Sequence, residues 1–430
     1  MIAGKQNRAP RAVVAWFLLV ALVQPPVSVS AADPAPFLSL PELLQEVRRA
    51  NPNLLAARKM MEAAQARIPL SGGLPAPKIG IEFEEIPRGT VQFDKATLMV
   101  QLIQSLPFPG KLSLKQKVAV QEAQHAAAQF KQQEWEVVSE LKSSYYELFL
   151  IDRQMEIQQA KLLWIRQAEA SSRARYSTGM ASQMDFLRVR SEAMELSNQL
   201  VVLGHRRMAM AAHLNHLLNR PTDAEVGRPA SVELMPVPSS PEELLAQAQD
   251  HQPDLLIFRS SAQRAEAAWR LSKRELLPDL ETMLEVRDPA MGPAGPWDLT
   301  LALVLPFWFW TKQRYGVKAA LYDKESAEAA YQGAQNEIAR RIHENWHEAK
   351  ASYERALLCQ KALIPLAKQA VSVSLAAYQA GKGSFLELLD ALRMFEERQM
   401  TYFEHLVELE QRLILLEQAV GDPLRKEHGA

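Results

Sequence analysis

Between Lys111 and Thr178 the chain contains neither glycine nor proline. The residues there are mostly Ala, Gln, Glu, Lys and Leu, which are strong helix formers. Apolar side chains recur at Val137, Leu141, Tyr145, Leu148, Ile151 and Met155, the three-and-four spacing of a helix stripe. Such a helix is roughly 90–100 Å long, more than a compact domain of this size can enclose. After Gly179 the helical pattern resumes to about Leu218, with a seam at Val189, Ala193, Leu196, Leu200 and Leu203. Two more such stretches follow, Leu321 to Tyr378 and Ser384 to Val420. The second of these carries Leu406, Leu409, Leu413, Leu416 and Val420 in alternating steps of three and four. Pro365 interrupts the first and predicts a kink. Seams this long predict coiled-coil packing against neighbours.

The pattern occurs twice because the chain is a duplication. Leu43-Leu44 and Asn51-Pro52-Asn53-Leu54-Leu55 return as Leu244-Leu245 and Gln252-Pro253-Asp254-Leu255-Leu256. Leu106-Pro107-Phe108 returns as Leu305-Pro306-Phe307, and Tyr176 to Gly179 as Tyr378 to Gly381. The reading is a first repeat over 33–225, a proline-bearing linker over 226–240, a second repeat over 241–423 and a tail over 424–430. Each repeat is expected to hold a β-hairpin (about 78–105 and 279–305) and a long helical hairpin (about 111–218 and 312–420).

The strand-like segments alternate with period two. Ile79, Ile81 and Phe83 interleave with Gly80, Glu82 and Glu84, and Leu98, Val100 and Leu102 form the partner. In the second repeat Leu280, Leu284 and Val286 interleave with Glu281 and Glu285, and Leu299, Leu301 and Leu303 with Asp298, Thr300 and Ala302. One apolar and one polar face suit a transmembrane β-barrel wall, and equally two buried hairpins in a soluble domain. Trp308, Phe309 and Trp310 stand where an interfacial aromatic girdle would lie. Four strands cannot close a barrel, since about eight are needed, so a barrel requires several chains.

Composition and the N-terminus narrow the choice. Forty-nine basic against 50 acidic residues leave a net charge of −1, with no general attraction to nucleic acid. One cysteine, Cys359, excludes a disulfide scaffold and any cysteine-based metal cluster. A mean hydropathy of −0.18 excludes a polytopic helical membrane protein. Residues 1–32 read as a signal peptide: Lys5, Arg8 and Arg11, an apolar stretch from Ala12 to Val23, then small residues at Ser30-Ala31-Ala32. Export, hairpins and very long helices together favour the barrel.

With its duplicated Asn-Pro-Asn-Leu and Gln-Pro-Asp-Leu openings, Leu106-Pro-Phe-Pro-Gly-Lys111, and the turns Tyr176–Asp185 and Tyr378–Asp390, the sequence resembles the TolC-type outer-membrane efflux proteins. The resemblance covers about residues 37–423 and is strongest to the heavy-metal, CzcC/CusC-like branch. It implies a mainly α fold with a small transmembrane β part: four strands per chain completing a twelve-stranded barrel in a homotrimer, continued by a twelve-helix periplasmic α-barrel. It also implies a Gram-negative outer-membrane location, contact with outer-membrane lipid, a periplasmic adaptor (membrane fusion) partner and an inner-membrane RND-type pump. The implied function is a passive exit duct with no cofactor, carrying heavy-metal cations. Multidrug or organic-compound efflux and type I secretion are alternatives on the same fold.

The same resemblance assigns residues. The adaptor-docking tips fall on Tyr176, Gly179 and Met180 and on Tyr378, Gly381 and Lys382. Independently, Gly179 and Gly381 each end a long helix and permit the left-handed turn that starts its partner. The periplasmic aperture falls on Asp185, Gly383, Glu387 and Asp390, the last two as carboxylate rings that attract cations. TolC carries an arginine at the position of Gly383, paired with the aspartate matching Asp185, so that lock is missing from this sequence.

Two motifs offer other chemistry. His343-Glu344-Asn345-Trp346-His347 is a literal H-E-x-x-H, the pattern that on a helix holds zinc between two imidazoles. It lies midway along a long helix whose core seam runs through Ile342, Trp346, Ala349 and Tyr353, which disfavours a zincin-like protease. His205, His213 and His216, with Met208 and Met210 on the same helix, are weak metal candidates, expected instead as surface histidines. A soluble periplasmic coiled-coil adaptor is the remaining alternative; it would be expected to carry one helical hairpin, whereas two are matched here.

Overall fold

The computed structural model describes residues 38–84, 97–177, 183–237, 240–287, 297–380 and 382–425. The signal-peptide segment, the loops at 85–96 and 288–296, and Gly179, Met180 and Gly381 lie outside these residues.

Each repeat opens on two short helices, α1 (Leu40–Ala50) and α2 (Pro52–Gly72), matched by α5 (Pro241–His251) and α6 (Pro253–Arg274). The duplicated Asn/Gln-Pro motif is the break between them. The Asn51 carboxamide oxygen accepts from the N–H groups of Asn53 (2.9 Å) and Leu54 (3.3 Å), and Pro52 takes a first-turn position that needs no donor. Its Nδ2 donates to the Leu217 carbonyl at 2.9 Å, fixing this corner to the end of a distant helix. In the second repeat the Gln252 Oε1 caps through the Leu255 N–H at 2.6 Å.

The strands follow: β1 (Lys78–Glu84), β2 (Thr97–Leu106), β3 (Asp279–Arg287) and β4 (Trp297–Val304). They form one antiparallel sheet in the order β1-β2-β3-β4, so the two hairpins join edge to edge through β2 and β3. The register aligns Ile79, Leu102, Leu284 and Leu299 across the sheet, and likewise Ile81, Val100, Val286 and Trp297. All eight side chains are exposed, making one broad apolar face. The other face is polar: Gln101 Nε2 donates to Glu285 Oε1 at 2.7 Å and to Glu82, and Arg287 pairs with Asp298 at 2.8 Å. Within the chain the outer edges of β1 and β4 have no strand partner among the described residues.

Below the sheet stand the long helices. The Pro-Phe-Pro-Gly-Lys sequence makes the turn into α3 (Lys111–Ser177), with Gly110 at φ 94°, a conformation glycine tolerates best. Lys111 is buried at this corner, its Nζ 2.7 Å from Asp279 Oδ1 and 2.8 Å from the Leu277 carbonyl. Asp279 also accepts from the Phe108 N–H at 2.7 Å, so one ion pair clamps the start of α3 to the start of β3. From there α3 runs 67 residues unbroken, about 100 Å, and α4 (Gln183–Leu217) returns beside it.

The second repeat departs from this pattern. A π-turn (Phe309–Gln313) leads into α7 (Arg314–Leu358); a second π-turn (Cys359–Leu363) leads into α8 (Ile364–Gln379); and α9 (Phe385–Val420) returns. Just ahead of Pro365 the chain widens by one π-turn. The proline ring would crowd the carbonyl four residues back, Lys361, and Pro365 has no N–H to offer it. The π-turn contains Lys361 and relieves both faults. Cys359, buried in this turn, has its thiol pushed up by burial, though Arg398 opposes the shift.

The core consists of seams between helices. Leu44, Val47, Leu141, Tyr145, Leu148 and Leu214 join α1, α3 and α4; Leu244, Ala248, Ile342, Ala349, Leu409 and Leu416 join α5, α7 and α9. The linker packs on α3, where the Tyr145 hydroxyl donates to the Leu38 carbonyl (3.2 Å) and accepts from the Ala230 N–H (3.0 Å). At the far end Gly421 caps α9 at φ 76°, and a Cβ there would lie 2.5 Å from the His251 carbonyl oxygen, so only glycine fits.

Candidate functional site at the helical tips

The tips lie at the ends of α3/α4 and of α8/α9. At the first, Tyr176 stacks on Phe186 with centroids 6.3 Å apart and planes 10° apart, bracing the last turn of α3 against the first of α4. Asp185 lies on α4, in its first turn. At the second, the N–H groups of Lys382 and Gly383 both donate to the Ala377 carbonyl at 3.0 Å, which closes α8. Tyr378 meets Phe385 edge-on at 6.2 Å across the turn.

Gly383 sits in a crowded spot. A Cβ there would be 3.1 Å from the Ala377 Cβ and 3.2 Å from the Tyr378 nitrogen. A longer side chain would require this turn to shift, which gives a local reason for the glycine. Ser384 then starts α9 with a capping box: its Oγ accepts from the Glu387 N–H, and its own N–H donates to Glu387 Oε2, both at 3.2 Å. Glu387 is therefore a helix cap as well as an exposed carboxylate. Asp390, three residues on, is exposed on the same side of α9. Both charges favour the positive end of the helix dipole.

Roughly two to four turns from the tip ends of α3, α4 and α9 is a charge cluster that the sequence alone does not reveal. Lys161 of α3, only 8% exposed, reaches Glu192 of α4 (3.2 Å) and Glu396 of α9 (2.6 Å). Arg393 of α9 pairs with Glu192 at 2.8 Å, and Gln158 Nε2 donates to Glu396 at 2.5 Å. Two cations and two carboxylates cancel, so the cluster is neutral; Lys161, Glu192 and Glu396 are shielded from water, whereas Arg393 is half exposed. Burial pushes the Glu192 carboxyl up, but Arg393 and Lys161 outweigh it and hold the group below the usual carboxylate range. Around it pack Leu162, Ile165, Val189, Leu196, Leu388 and Leu392. The result ties the first helical hairpin to the second.

A second link joins α3 to α9 higher up. Lys142 pairs with Glu417 at 2.8 Å, both nearly buried, and Arg425 pairs with Glu410 at 2.7 Å. Burial, with Glu410 beside it, drives the Tyr146 hydroxyl far above its ordinary value, so it stays protonated.

The remaining candidates are not assembled. His205 and His216 are exposed, and His213 lies 3.4 Å from Glu140. Among the described residues no group of three or more His, Cys, Asp or Glu side chains is placed to hold a metal ion. The H-E-x-x-H stretch lies on α7 with Ile342 and Ala349 in the core and His343, Glu344 and His347 outside. The Glu344 carboxylate is taken by Arg340, and the His347 ring stands edge-on to Trp346 at 5.0 Å.

Comparison with known proteins agrees with this geometry. The sequence profile described as "Outer membrane efflux protein" matches residues 43–220 and again 244–422. The cobalt-zinc-cadmium resistance protein CzcC of Cupriavidus metallidurans is 20% identical over 400 residues, covering 92% of this chain and 93% of that protein. The outer membrane protein VceC of Vibrio cholerae superposes with a TM-score of 0.76 at 17% identity, over 90% of this chain and 97% of VceC. CusC, described as forming a transmembrane channel, superposes at 0.74 and 17% identity, over 92% of this chain and 96% of CusC.

Proposed function

From its membership of the outer membrane efflux protein family, to which this chain belongs across both of its repeats, we propose that it works as a passive exit duct for heavy-metal cations. The observation carrying this reading is the four-stranded sheet. It has one exposed apolar face, one polar face and two open edges, and it continues directly into helices about 100 Å long. Three copies pairing β4 to β1 give twelve strands, remove every edge, and turn the apolar face to lipid and the polar face to water. The helices then extend the lumen through the periplasm toward an adaptor and an inner-membrane pump, which supplies the energy. Nothing is made or broken in transit, so the chain contributes length, a polar lining and a gate.

The gate is assigned to the tips. Glu387 and Asp390, repeated three times, form carboxylate rings that raise the local concentration of cations. In place of an arginine at position 383, the cluster of Lys161, Glu192, Arg393 and Glu396 holds the second hairpin against the first. The resemblance to CzcC supports metal cations as cargo. Reversal-potential measurements on purified protein in planar bilayers test the aperture. The native channel should prefer cations, and the Glu387→Gln/Asp390→Asn pair should lose most of that preference. Unchanged selectivity would remove these residues from the aperture. Deletion of the gene should sensitise cells to divalent metals; sensitivity to organic compounds alone would move the cargo to the other class.

A further inference from the structure

We propose that the junction between sheet and long helices is a binding belt for anionic phospholipid headgroups, an inference that rests on reading the sheet as a lipid-facing barrel wall. Phe307, Trp308 and Trp310 follow β4 with 68%, 69% and 55% of their surfaces exposed. The Lys312 N–H donates to the Trp308 carbonyl at 2.9 Å, so Lys312 stands one turn from Trp308. Tyr315, 65% exposed, lies on the next turn of the same stripe, and Lys318 holds its ammonium 5.6 Å from the Tyr322 ring. The opposite side of α7, with Val317 and Ala320, packs toward α6. Aromatic rings alternating with basic side chains make poor lumen lining, because the rings would be held in water. They suit the headgroup layer, where the rings anchor and the cations reach phosphate.

Charge and depth agree. Lys115 and Lys117 on α3 are also exposed near this level; the Lys115 charge acts on the Asp279 carboxylate, whereas none of Lys117, Lys312 and Arg314 stands within ion-pairing distance of a carboxylate among the described residues. In a chain of net charge −1 that is a local excess of cation. Lys115 lies about 6 Å down α3 from the end of the sheet, comparable with the headgroup layer on one side of a bilayer. The first repeat has Pro107-Phe108-Pro109 where the second has Pro306 to Trp310, so the aromatic part of the belt comes from the second repeat alone.

The test uses the full-length protein in phosphatidylcholine nanodiscs with and without phosphatidylglycerol, reading retained phosphatidylglycerol per protomer by native mass spectrometry. The native protein should enrich phosphatidylglycerol at low salt and lose the enrichment in 1 M salt, as a screened charge effect must. Lys312→Gln/Arg314→Gln should lower the enrichment about 25-fold, from about fivefold per basic residue at an anionic surface. Enrichment that is absent in the native protein, or unchanged in the variant, overturns the belt. So does a variant that falls apart into single chains, which would make the stripe a contact between copies. A shift of ion selectivity with unchanged lipid retention would place these cations in the lumen and also overturn it. Channels that never form in any lipid would sink the duct reading itself, whereas normal conductance without lipid preference sinks only the belt.

Discussion

The first repeat descends to its tip as one α-helix from Lys111 to Ser177, whereas the second covers the equivalent distance as α7, a π-turn and α8. Both arms come from one duplicated unit, and both end in an antiparallel turn. Where α3 has neither glycine nor proline, the second arm has Gly316 and Gly333 in α7 and then Pro365 with its π-turn. At the matching place in α3 stands Leu163, 62% exposed and in ordinary α geometry. A continuous ladder of backbone hydrogen bonds makes α3 a stiff strut. The π-turn at Cys359–Leu363 makes the other arm the place where the tip segment can change direction at little cost. The Lys161 cluster lies below that turn and joins the arms, so it restrains the pliant one with the stiff one.

The strongest way to break this contrast is Leu163→Pro. The side chain is exposed, so nearly all the effect falls on the backbone, and a loss of about 3 kcal/mol or more is expected in denaturant unfolding. A loss under about 1 kcal/mol would mean that α3 can adopt a π-turn as readily as its counterpart. Next in size, Lys161→Met leaves Glu192 and Glu396 facing each other without their shared cation. The expected cost is about 2–3 kcal/mol, with a higher open probability in single-channel recordings. An unaltered open probability would leave the cluster a packing device with no part in gating.

Acid acts on the same cluster more gently. The Glu192 carboxyl is held below its usual value of 4.5, so its contribution is complete above that pH and is lost as pH falls through the depressed value. Open probability should stay flat from pH 8 to 5 and rise only below about 4.5; a rise centred near pH 6.5 would point to a histidine. The smallest effect is expected from Pro365→Ala. The π-turn already accommodates the proline, so stability should change by less than about 1 kcal/mol. The informative readout there is hydrogen exchange across residues 359–366, which should slow if an α-ladder re-forms.

Much of this architecture was legible in the sequence for simple physical reasons. A stretch without glycine or proline and with a three-and-four apolar rhythm has few options other than a long helix, and alternation at Ile79-Gly80-Ile81-Glu82-Phe83 has few other than a two-faced strand. The Asn51-Pro52 and Gln252-Pro253 pairs stand out as repeat landmarks, and the helix caps they prove to be are local, completed within three residues. What escaped detection depends on distant partners. Lys161 and Glu396 are separated by 235 positions and look like ordinary helix charges until the helices are packed. The only hint was polar residues, Gln158 and Lys161, at places where the seam turns inward. The π-turn is similar: Pro365 announced a disturbance, but whether the helix bends or widens depends on what packs against it. Glu387 was read as a lumen charge and Gly383 as a lost lock. The Ser384-Phe385-Leu386-Glu387 spacing already carries the capping-box signature, whereas the crowding by Ala377 appears only once the turn has a shape.

The pairing of β2 with β3 has one further consequence. A ring of six separate single-repeat chains would be forced to give every arm the same sequence, so each would carry a bend or none would. Fusing two repeats and stitching their hairpins together within one polypeptide makes half the seams hereditary and fixes which arm neighbours which. Mutation can then act on one arm of each pair without touching the other. The proline at 365, the aromatic run at 307–310 and the crowded glycine at 383 all lie in the second repeat. Duplication freed that half to diverge while the first kept its uninterrupted helix.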